Sequence, residues 1–573
     1  MHSHSLPNIL FLVTIIPAVA IGSYAAPQCR TIPEDASWPA QSAWRALNES
    51  VDGRLISVAP IAAPCHTTLF GQPNPEYDSG KCDILRNTWF LPETHLTSSS
   101  SAMAYPFSNN SCSPFLGPDL SCNIGFHNSY AINASGAVDF QKAIAFVKEH
   151  NIRLTIRNTG HDYLGKSTGA HSLAIWTHYM KDIKLIPQYK SLAYSGPAIE
   201  LHAGVEVHEA YAFADANRLV VVGGNCPTVG IAGGYSQGGG HGPFASKFGL
   251  AADQVLEWQL VTSAGELITA TPFEYPDLFW ALRGGGGSTY GAVVSMTVKA
   301  FPDMHVSTAH ITLLKSGTNA DALYDVVRTF LKNLPKVVDR GVMVTWIAAP
   351  FGFMVSPAFA PGLHKEELDS LLKPTVDKLK KLNLTYQYSS TEFNTFLSGY
   401  KSLPNSWNVS DYNLGGRLIP RSLVEQDLES ILSAIRYISE NAFMSGVSFN
   451  AQHGVSDPDE VGVNPYMRQS LFNIAVGTPI NYTDWSATKA AQDRITNDLL
   501  PRLEKLTPNG GAYLNEADFQ APDFKSLFYG AHYDMLESIK ARYDPLDMFY
   551  AKTAVGSDRW TQQANGRLCR TAN

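Results

Sequence analysis

The feature that most constrains the fold is a glycine-rich stretch at residues 221–242, which reads VVGGNCPTVGIAGGYSQGGGHG. Glycine is needed where a backbone adopts positive φ, or where backbone N–H groups must come close to a ligand. The stretch is not a P-loop, since no Gly-Lys-Ser/Thr follows, and it is too rich in glycine to open the helix of a Rossmann fingerprint. The pattern therefore predicts a ligand site, with a glycine-rich crossing of packed backbones as the alternative.

A second glycine-punctuated segment, IRNTGHDYLGKSTG, occupies residues 156–169 and follows the predicted strand RLTIRN. It places His161 between Gly160 and Asp162. Taken alone, the segment could be a surface loop in which His161 hydrogen-bonds a phosphate, and Cys226 of the first stretch could be a small buried hydrophobic residue.

Two patterns of predicted secondary structure follow each other along the chain. From about 125 to 305, short strand and helix signals alternate, with a helix predicted at AVDFQKAIAFVKEHN. From 306 to 505, longer helices such as DALYDVVRTFLKNLPKVV and VEQDLESILSAIRYIS alternate with strand-like VMVTWIAA, VSFNAQHG and LFNIAVGT. A later helical pattern stops at Pro545. The sequence therefore predicts an α+β protein with more than one domain.

The N-terminus predicts secretion. An apolar run at residues 9–21 is short for a membrane span and is followed by small residues suited to cleavage after Ala25 or Ala26. We interpret residues 1–25 as a signal peptide, with a retained membrane anchor as the alternative. No later stretch reaches a membrane-spanning length, so the mature protein is expected to be soluble and extracellular, without a membrane partner.

The cysteines suit an oxidising compartment. There are seven, so three disulfides would leave one thiol, and Cys226 is the candidate because its neighbours are not cysteines. Proximity in sequence favours pairing Cys112 with Cys122 and Cys65 with Cys82, which leaves Cys29 with Cys569, although sequence alone does not fix the connectivity. Sequons for a glycosylated surface occur at Asn48, Asn109, Asn133, Asn383, Asn408 and Asn481.

The charge pattern argues against a nucleic-acid partner. The formal net charge is -8, and the chain has no run of Lys or Arg that could form a basic footprint.

The two glycine-punctuated segments together carry a resemblance. RNTGHD, GGNCPTVGIAGG, LFWALRGGGGSTYGAVVSMTVKAF and the C-terminal RYDPLDMFYAKTAVGSDRW resemble the berberine-bridge-enzyme-like oxidases of the vanillyl-alcohol-oxidase flavoprotein superfamily. The resemblance covers nearly the whole mature chain. It implies a two-lobed PCMH-type FAD-binding domain at residues 26–305, with its core at 125–303, and a substrate domain at 306–505 that has an antiparallel sheet covered by helices. Residues 506–573 would return to the FAD-binding domain.

The resemblance also implies a bicovalent FAD and no metal. His161 would bind the 8α-methyl carbon of the flavin and Cys226 would bind its C6 atom. Backbone groups of Asn158, Thr159 and Gly160 would hold the pyrophosphate. Further cofactor contacts are expected at Gly230, Gly233, Gly234, Gly287 and Val293.

Three residues are expected to take part in catalysis. In similar proteins, a valine three residues after the attachment cysteine leaves room for oxygen, and here that residue is Val229. Relatives place a catalytic tyrosine where this chain, with YLNEAD, has Glu516. We therefore expect Glu516 to be the general base, with Tyr513 in reserve. Strand alternation would put Glu516 on the face of Leu514 and Tyr513 on the opposite face, so we expect Glu516 and Tyr513 to point in different directions.

The resemblance implies an oxidase that moves a hydride from a C–H bond beside oxygen or nitrogen to flavin N5, and then reduces O₂ to H₂O₂. A dehydrogenase with another acceptor and a flavin-binding protein with a degenerate site remain as alternatives. The expected partners are oxygen and a small molecule, either a carbohydrate-like alcohol or a secondary metabolite, and the protein is expected to be a monomer.

Overall fold

The computed structural model describes residues 29–571, apart from 102, 104, 316–318, 404–407 and 453–456. The predicted signal peptide at residues 1–25 lies outside the described residues. The fold is α+β, as predicted, and is built around sheets of four, five and seven strands. Among the helices in the described ranges, none combines the length and the apolar character that crossing a membrane requires.

The four-stranded sheet brings the first predicted segment to the site. Its strands lie in the order Leu55–Ser57, Tyr130–Asn133, Leu173–Trp176 and Leu154–Arg157. The helix predicted at residues 137–151 is confirmed as Ala137–His150 and ends at Asn151, which adopts a left-handed conformation. It connects two strands that both pair in parallel with Leu173–Trp176. The strand Leu154–Arg157 then leads directly into the loop that carries His161.

The five-stranded sheet is antiparallel and forms the scaffold for the second segment. Its strands lie in the order Leu267–Ala270, Val255–Val261, Ala292–Lys299, Ser195–His202 and Ile183–Lys190. A large core packs against it, and includes the fully buried Trp258, Phe244 and Tyr211. This core also contains Ile231 and Ala232, so it anchors the glycine-rich stretch to the five-stranded sheet.

The seven-stranded sheet is antiparallel and lies beside the other two. Its strands lie in the order Gln387–Phe393, Val306–Leu314, Gly352–Pro361, Met343–Ala349, Phe443–Ser448, Ser470–Pro479 and Tyr412–Pro420. The helices Ala320–Val338, Lys365–Lys381 and Leu428–Asn441 cover one face, and their buried side chains, such as Leu331, form one core with the sheet. The predicted antiparallel sheet covered by helices is therefore present.

Two local predictions for this part of the chain were wrong. The single helix predicted at VEQDLESILSAIRYIS is two helices, Arg421–Gln426 and Leu428–Asn441, because Asp427 leaves the helical conformation and its carboxylate accepts a hydrogen bond from the Ser430 N–H. The strand predicted through VSFNAQHG begins earlier and ends at Ser448. A side-chain cap therefore divides what the apolar periodicity alone would make continuous.

The remaining elements are short. The other helices are Gln41–Ser50, Ser79–Thr88, Pro92–Leu96, Val207–Ala216, Ala245–Phe248, Pro276–Ala281, Phe396–Lys401, Tyr466–Gln469, Trp485–Arg494, Leu500–Glu504 and Tyr533–Tyr543. Two-stranded ladders pair Thr68–Leu69 with Gln72–Pro73, Leu219–Val220 with Phe301–Pro302, and Trp560–Gln562 with Leu568–Arg570. The helix Tyr533–Tyr543 ends just before Pro545, as predicted.

The predicted disulfide pairing is confirmed. Disulfides join Cys29 to Cys569, Cys65 to Cys82 and Cys112 to Cys122. The first of these links the two ends of the described chain across a sequence separation of 540 residues. Cys226 is the free cysteine, as its isolation in the sequence indicated.

Candidate active site

A cavity of about 640 Å³ lies between the two glycine-punctuated segments and one face of the seven-stranded sheet. Every residue that the sequence analysis singled out for cofactor binding or catalysis lines this cavity. These residues are Asn158, Thr159, Gly160, His161, Cys226, Val229, Gly230, Gly233, Gly234, Gly287, Val293, Tyr513 and Glu516. Segments that are far apart in the sequence therefore meet at one place.

Strand alternation builds the opposite wall of the cavity. Successive side chains of a strand point to opposite faces, so every second residue faces the same way. The cavity-lining residues of the four strands concerned are Thr345 and Ile347, Tyr412 and Leu414, Phe443, Ser445 and Val447, and Asn473 and Ala475. Their neighbours Trp346, Met444 and Ile474 point to the other face and are buried with the helices. The helices thus hold the sheet while its other face forms the site.

His161 and Cys226 meet at one end of the cavity. The His161 Nε2 atom lies 2.7 Å from the Thr228 Oγ1 atom and 3.9 Å from the Cys226 Sγ atom. Burial lowers the pKa of His161 to about 4, so the imidazole is neutral and keeps a lone pair near neutral pH. Burial also raises the pKa of the Cys226 thiol, although hydrogen bonding to Thr228 opposes this shift. Two nucleophilic side chains therefore converge on one point.

Asp162 organises the loop that carries His161. Its carboxylate accepts hydrogen bonds from the Leu164 N–H at 2.9 Å and from the Ser167 N–H at 2.7 Å. Gly160, on the other side of His161, has a φ of 91°, a conformation that other residues rarely adopt. The loop geometry therefore depends on both neighbours of His161.

At two of the predicted glycine positions an added side chain would meet another segment of the cavity wall, a side chain in one case and a backbone in the other. A Cβ atom on Gly230 would lie 2.1 Å from the Asn158 Nδ2 atom. A Cβ atom on Gly287 would lie 3.0 Å from the Gly234 Cα atom. Larger residues would force apart the segments that bound the cavity.

The donor chemistry of the cavity fits FAD. Several buried polar atoms of its lining have no hydrogen-bond partner within the described residues, namely Asn158 Oδ1, Lys166 Nζ, Asn225 Oδ1, His241 Nδ1 and Asn473 Oδ1. Unpartnered buried polar groups are costly and indicate a polar ligand. Burial lowers the pKa of Lys166 to about 8, and an anion would stabilise its charged form. FAD offers a pyrophosphate, ring carbonyls and a ring N–H, which match this mixture of donors and acceptors.

Glu516 faces the cavity and is held by two neighbours. The Asn473 Nδ2 group donates a hydrogen bond to Glu516 Oε2 at 2.6 Å. The other carboxylate oxygen, Oε1, lies 3.4 Å from the His241 Nε2 atom. The Glu516 side chain keeps 30% exposure, and because it lines the cavity, a ligand there can reach the carboxylate.

The expected strand at YLNEAD is absent. Leu514–Glu516 forms a single tight helical turn, closed by a hydrogen bond from the Glu516 N–H to the Tyr513 carbonyl at 2.9 Å. Strand alternation therefore does not apply, and the prediction that Tyr513 and Glu516 point to opposite faces was wrong. Both side chains line the same cavity.

Tyr513 is held more tightly than Glu516. Its hydroxyl accepts a hydrogen bond from Asn515 Nδ2 at 2.7 Å, and its ring packs edge-on against His241 with centroids 4.9 Å apart. Burial, reinforced by the negative charge of Glu516, raises the pKa of Tyr513. Asn515 Nδ2 also donates to the Gly234 carbonyl at 2.9 Å, which ties the C-terminal segment to the glycine-rich stretch.

Sequence reasoning missed several residues of the cavity. Lys166 and His241 both lie within the segments quoted above, but no spacing rule marked them. Asn473 is a polar residue that interrupts the apolar run LFNIAV, and that interruption was a readable signal. Tyr163 and Asp411 also line the cavity, and burial raises the pKa of both side chains.

Comparison with known proteins agrees with this geometry. Residues 130–271 match the family described as FAD binding domain, and residues 512–556 match the family described as berberine and berberine like. The FAD-linked oxidoreductase sor8 of Hypocrea jecorina (strain QM6a) is 41% identical over 552 residues, covering 96% of this chain and 94% of that protein. The VAO-type flavoprotein oxidase VAO615 of Thermothelomyces thermophilus is 38% identical, covering 95% of this chain and 96% of that protein.

A solved structure shares the whole fold. The crystal structure of the VAO-type flavoprotein MtVAO615 from Myceliophthora thermophila C1 has a TM-score of 0.89 and 36% identity, covering 95% of this chain and 100% of that chain. Fold and site together define an FAD-dependent oxidoreductase. The chain belongs to the berberine-bridge-enzyme-like group of the vanillyl-alcohol-oxidase flavoprotein family.

Proposed function

We propose that this protein is a secreted oxidase that removes a hydride from a C–H bond next to oxygen or nitrogen in a small organic substrate, with O₂ as the final acceptor and H₂O₂ as the product. The observation that carries the proposal is the convergence of His161, Cys226 and Glu516 on one cavity. When bound, FAD supplies the redox chemistry, since it accepts the hydride at N5 and passes the electrons to oxygen.

His161 and Cys226 would hold the flavin through two covalent bonds. The His161 Nε2 atom lies 3.9 Å from the Cys226 Sγ atom, so the two side chains are close enough to reach one flavin ring. His161 is neutral and Cys226 is outside the disulfides, which leaves a lone pair and a thiol free for bond formation. The backbone at Asn158, Thr159 and Gly160 would hold the pyrophosphate, as a loop of N–H groups does for anions. Two bonds to the ring and an anion site for the pyrophosphate would together fix the orientation of the cofactor.

Lys166 adds a positive charge to this cofactor site. Its Nζ atom is buried in the cavity wall without a hydrogen-bond partner among the described residues. An anionic part of the cofactor would satisfy this ammonium group. The low pKa caused by burial would then rise when the cofactor binds.

Glu516 would act as the general base. Its Oε2 atom is fixed by Asn473, whereas Oε1 faces His241 at a distance too long for a strong hydrogen bond. Oε1 is therefore the atom that would take the proton from a substrate hydroxyl or amine as the hydride leaves. The His241 ring lies beside this oxygen and bounds the position that the substrate would occupy. Tyr513 is the second candidate, but its raised pKa means that its hydroxyl holds its own proton.

Val229 supports oxygen as the acceptor. It lines the cavity three residues after Cys226, and its side chain is small. A short branched side chain leaves space beside the flavin that a longer one would fill. The name of the relative VAO615, a flavoprotein oxidase, favours the same acceptor.

We also propose that the protein is secreted and that different segments of the chain bind FAD and the substrate. The three disulfides favour an oxidising compartment and agree with the signal peptide predicted at residues 1–25. Residues 26–305 and 506–573 would bind FAD, whereas residues 306–505 would supply the sheet that faces the substrate. We expect the protein to act as a glycosylated monomer.

An anaerobic screen tests the proposed function. Purified holoprotein would be mixed without oxygen with sugars, other alcohols and amines of secondary-metabolite type, while the visible flavin absorbance is followed. At least one class should bleach the flavin, and admitting air should restore the colour with formation of one H₂O₂ per flavin. Bleaching that air does not reverse, but an artificial electron acceptor does, would identify a dehydrogenase instead. A flavin that dithionite reduces but no compound of any class does would contradict the proposal.

A further inference from the structure

We propose that His305, His364 and Glu392 form a binding site for one divalent transition-metal ion, such as Zn²⁺ or Cu²⁺, at the outer edge of the seven-stranded sheet. None of the three residues lines the cavity described above. The site is therefore separate from the proposed oxidase chemistry and does not depend on it.

Three different elements bring these side chains together. His305 immediately precedes the strand Val306–Leu314. Glu392 lies in the edge strand Gln387–Phe393, which pairs with Val306–Leu314. His364 immediately precedes the helix Lys365–Lys381. Because the ligands come from two strands and a helix, their convergence is a product of tertiary structure.

The distances suit coordination once the exposed His364 ring turns out of its stacked position against His305. One nitrogen or oxygen atom from each of the three residues lies within 4.8 Å of the other two. The His364 Nδ1 atom is already 3.0 Å from Glu392 Oε1, and the two imidazole rings lie nearly parallel with centroids 4.5 Å apart. Ligands placed about 2.0–2.2 Å from a tetrahedral Zn²⁺ ion lie roughly 3.3 Å from one another. Rotation of the exposed His364 and Glu392 side chains can close the remaining gap.

The donor set and its surroundings favour a metal ligand over a purely structural cluster. The His305 Nε2 atom is buried and has no hydrogen-bond partner among the described residues. The second oxygen of Glu392 accepts a hydrogen bond from the Lys365 N–H at 2.9 Å, which orients the carboxylate as an outer-shell partner does in metal sites. Side-chain exposures of 63% for His364 and 33% for Glu392 leave the position open to an ion from solution.

The ligand chemistry selects the class of ion. Two imidazole nitrogens and one carboxylate suit Zn²⁺, Cu²⁺ or Ni²⁺, whereas Ca²⁺ and Mg²⁺ prefer oxygen ligands throughout. Three protein ligands leave a coordination position for water. A bound ion would fasten the start of the helix Lys365–Lys381 to the two outer strands of the sheet.

The test uses the mature, tag-free holoprotein after treatment with a chelator. Calorimetric titration with Zn²⁺ should give one equivalent per chain, and titration with Ca²⁺ should give no binding. His364→Asn, which keeps a residue able to cap the helix, and Glu392→Gln should each weaken Zn²⁺ binding at least tenfold. His310→Gln is the matched control, because His310 lies in the same strand but contacts Ser356 rather than a carboxylate, and its affinity should equal that of the wild type.

Electron paramagnetic resonance of the wild-type protein with one equivalent of Cu²⁺ supplies a second measurement that needs no variant. The spectrum should show coupling to two imidazole nitrogens. Absence of a Zn²⁺ equivalent, equal affinity in His364→Asn and the wild type, or a Cu²⁺ spectrum without two nitrogen ligands would each overturn the proposal. Retention of the yellow flavin in every variant verifies that the fold is intact.

Discussion

The His161 Nε2 atom lies 3.9 Å from the Cys226 Sγ atom, although 65 positions separate the two residues in the sequence. Thr228 stands beside both, at 2.7 Å from the imidazole nitrogen and 3.7 Å from the sulfur. Burial disfavours the charged forms of the His161 imidazole and the Cys226 thiol, so both side chains are neutral near pH 7. A neutral imidazole and a free thiol therefore lie side by side in the cavity, as the proposed double attachment requires.

The first prediction follows from this pair and concerns attachment of the flavin. His161→Ala and Cys226→Ala should each keep a flavin that stays with the protein after acid denaturation, because the other bond remains. The double variant should release its flavin completely. Absorbance of the denatured pellet and mass spectrometry of flavin peptides measure the result. Release of flavin from the denatured wild type would refute covalent attachment altogether.

A second prediction concerns oxygen. Replacing Val229 with leucine adds one methylene group beside the proposed flavin position and should slow reoxidation of the reduced flavin by about tenfold or more, which corresponds to about 1.4 kcal/mol in the barrier. Reduction by substrate should change little. Stopped-flow absorbance after mixing reduced protein with oxygen measures the rate. Equal reoxidation rates in both proteins would exclude Val229 as the determinant of oxygen access.

A third prediction uses Gly416, a glycine that does not line the cavity. A Cβ atom on Gly416 would lie 2.4 Å from the Glu516 carbonyl oxygen, so Gly416→Ala must displace the turn that carries the proposed base. A displacement near 1 Å can cost roughly 10²-fold in rate, and we expect flavin reduction to slow by that order. Gly117→Ala is the control, since no atom lies within 4 Å of its added Cβ. A wild-type reduction rate in Gly416→Ala would mean that the position of Glu516 is not critical.

Local sequence patterns predicted much of the fold. The helix Ala137–His150 has its own apolar periodicity, and proximity in sequence favoured the disulfide pairing that the structure contains, although it did not fix that pairing. His161 and Cys226 were singled out because their two glycine-rich motifs together resemble those of a flavoprotein family. For the helix and for the pairs Cys65–Cys82 and Cys112–Cys122 the information lies in residues that are close in sequence, whereas the pair Cys29–Cys569 was reached by elimination across 540 residues.

The parts that were missed depend on contacts between distant segments. The turn at Leu514–Glu516 replaces a strand because the segment has no ladder partner, and alternation has meaning only within a sheet. Glu516 meets Asn473 and His241 only after three segments of the chain have packed together. Local sequence patterns do not predict contacts between distant segments. The sequence therefore indicated the proposed base but not the groups that hold it.

A fourth prediction concerns stability against acid. His127 is buried, and burial lowers its pKa from 6.5 to about 4. The unfolded chain therefore takes up a proton at a higher pH than the folded chain, and the free energy of unfolding should fall as the pH drops from about 6.5 towards 4. The histidine contributes up to about 3 kcal/mol to this loss. His95 is buried in the same way, with the same direction of shift.

Denaturant unfolding at a series of pH values tests this acid sensitivity. His127→Gln removes the titrating group and keeps a donor for the Ser100 carbonyl, which His127 Nδ1 contacts at 2.9 Å. The variant should lose less stability than the wild type between pH 6.5 and 4, whatever its stability at neutral pH. Parallel curves for the two proteins would mean that His127 does not contribute to the acid sensitivity.

The fifth prediction is that Glu516 is the general base. Glu516→Gln keeps the shape of the side chain and can still contact Asn473, but it removes the proton acceptor that faces the cavity. A positioned base contributes roughly 10²–10⁴-fold, so flavin reduction by a substrate found in the anaerobic screen should slow by that amount while the protein stays yellow and folded. Tyr513→Phe should have a smaller effect, because the raised pKa of Tyr513 keeps its hydroxyl protonated in the wild type.

If Glu516→Gln reduces its flavin at the wild-type rate and Tyr513→Phe does not, the base is Tyr513. If Glu516→Gln instead loses flavin or unfolds at lower denaturant, the carboxylate is a structural partner of His241 and Asn473, and catalysis relies on another group.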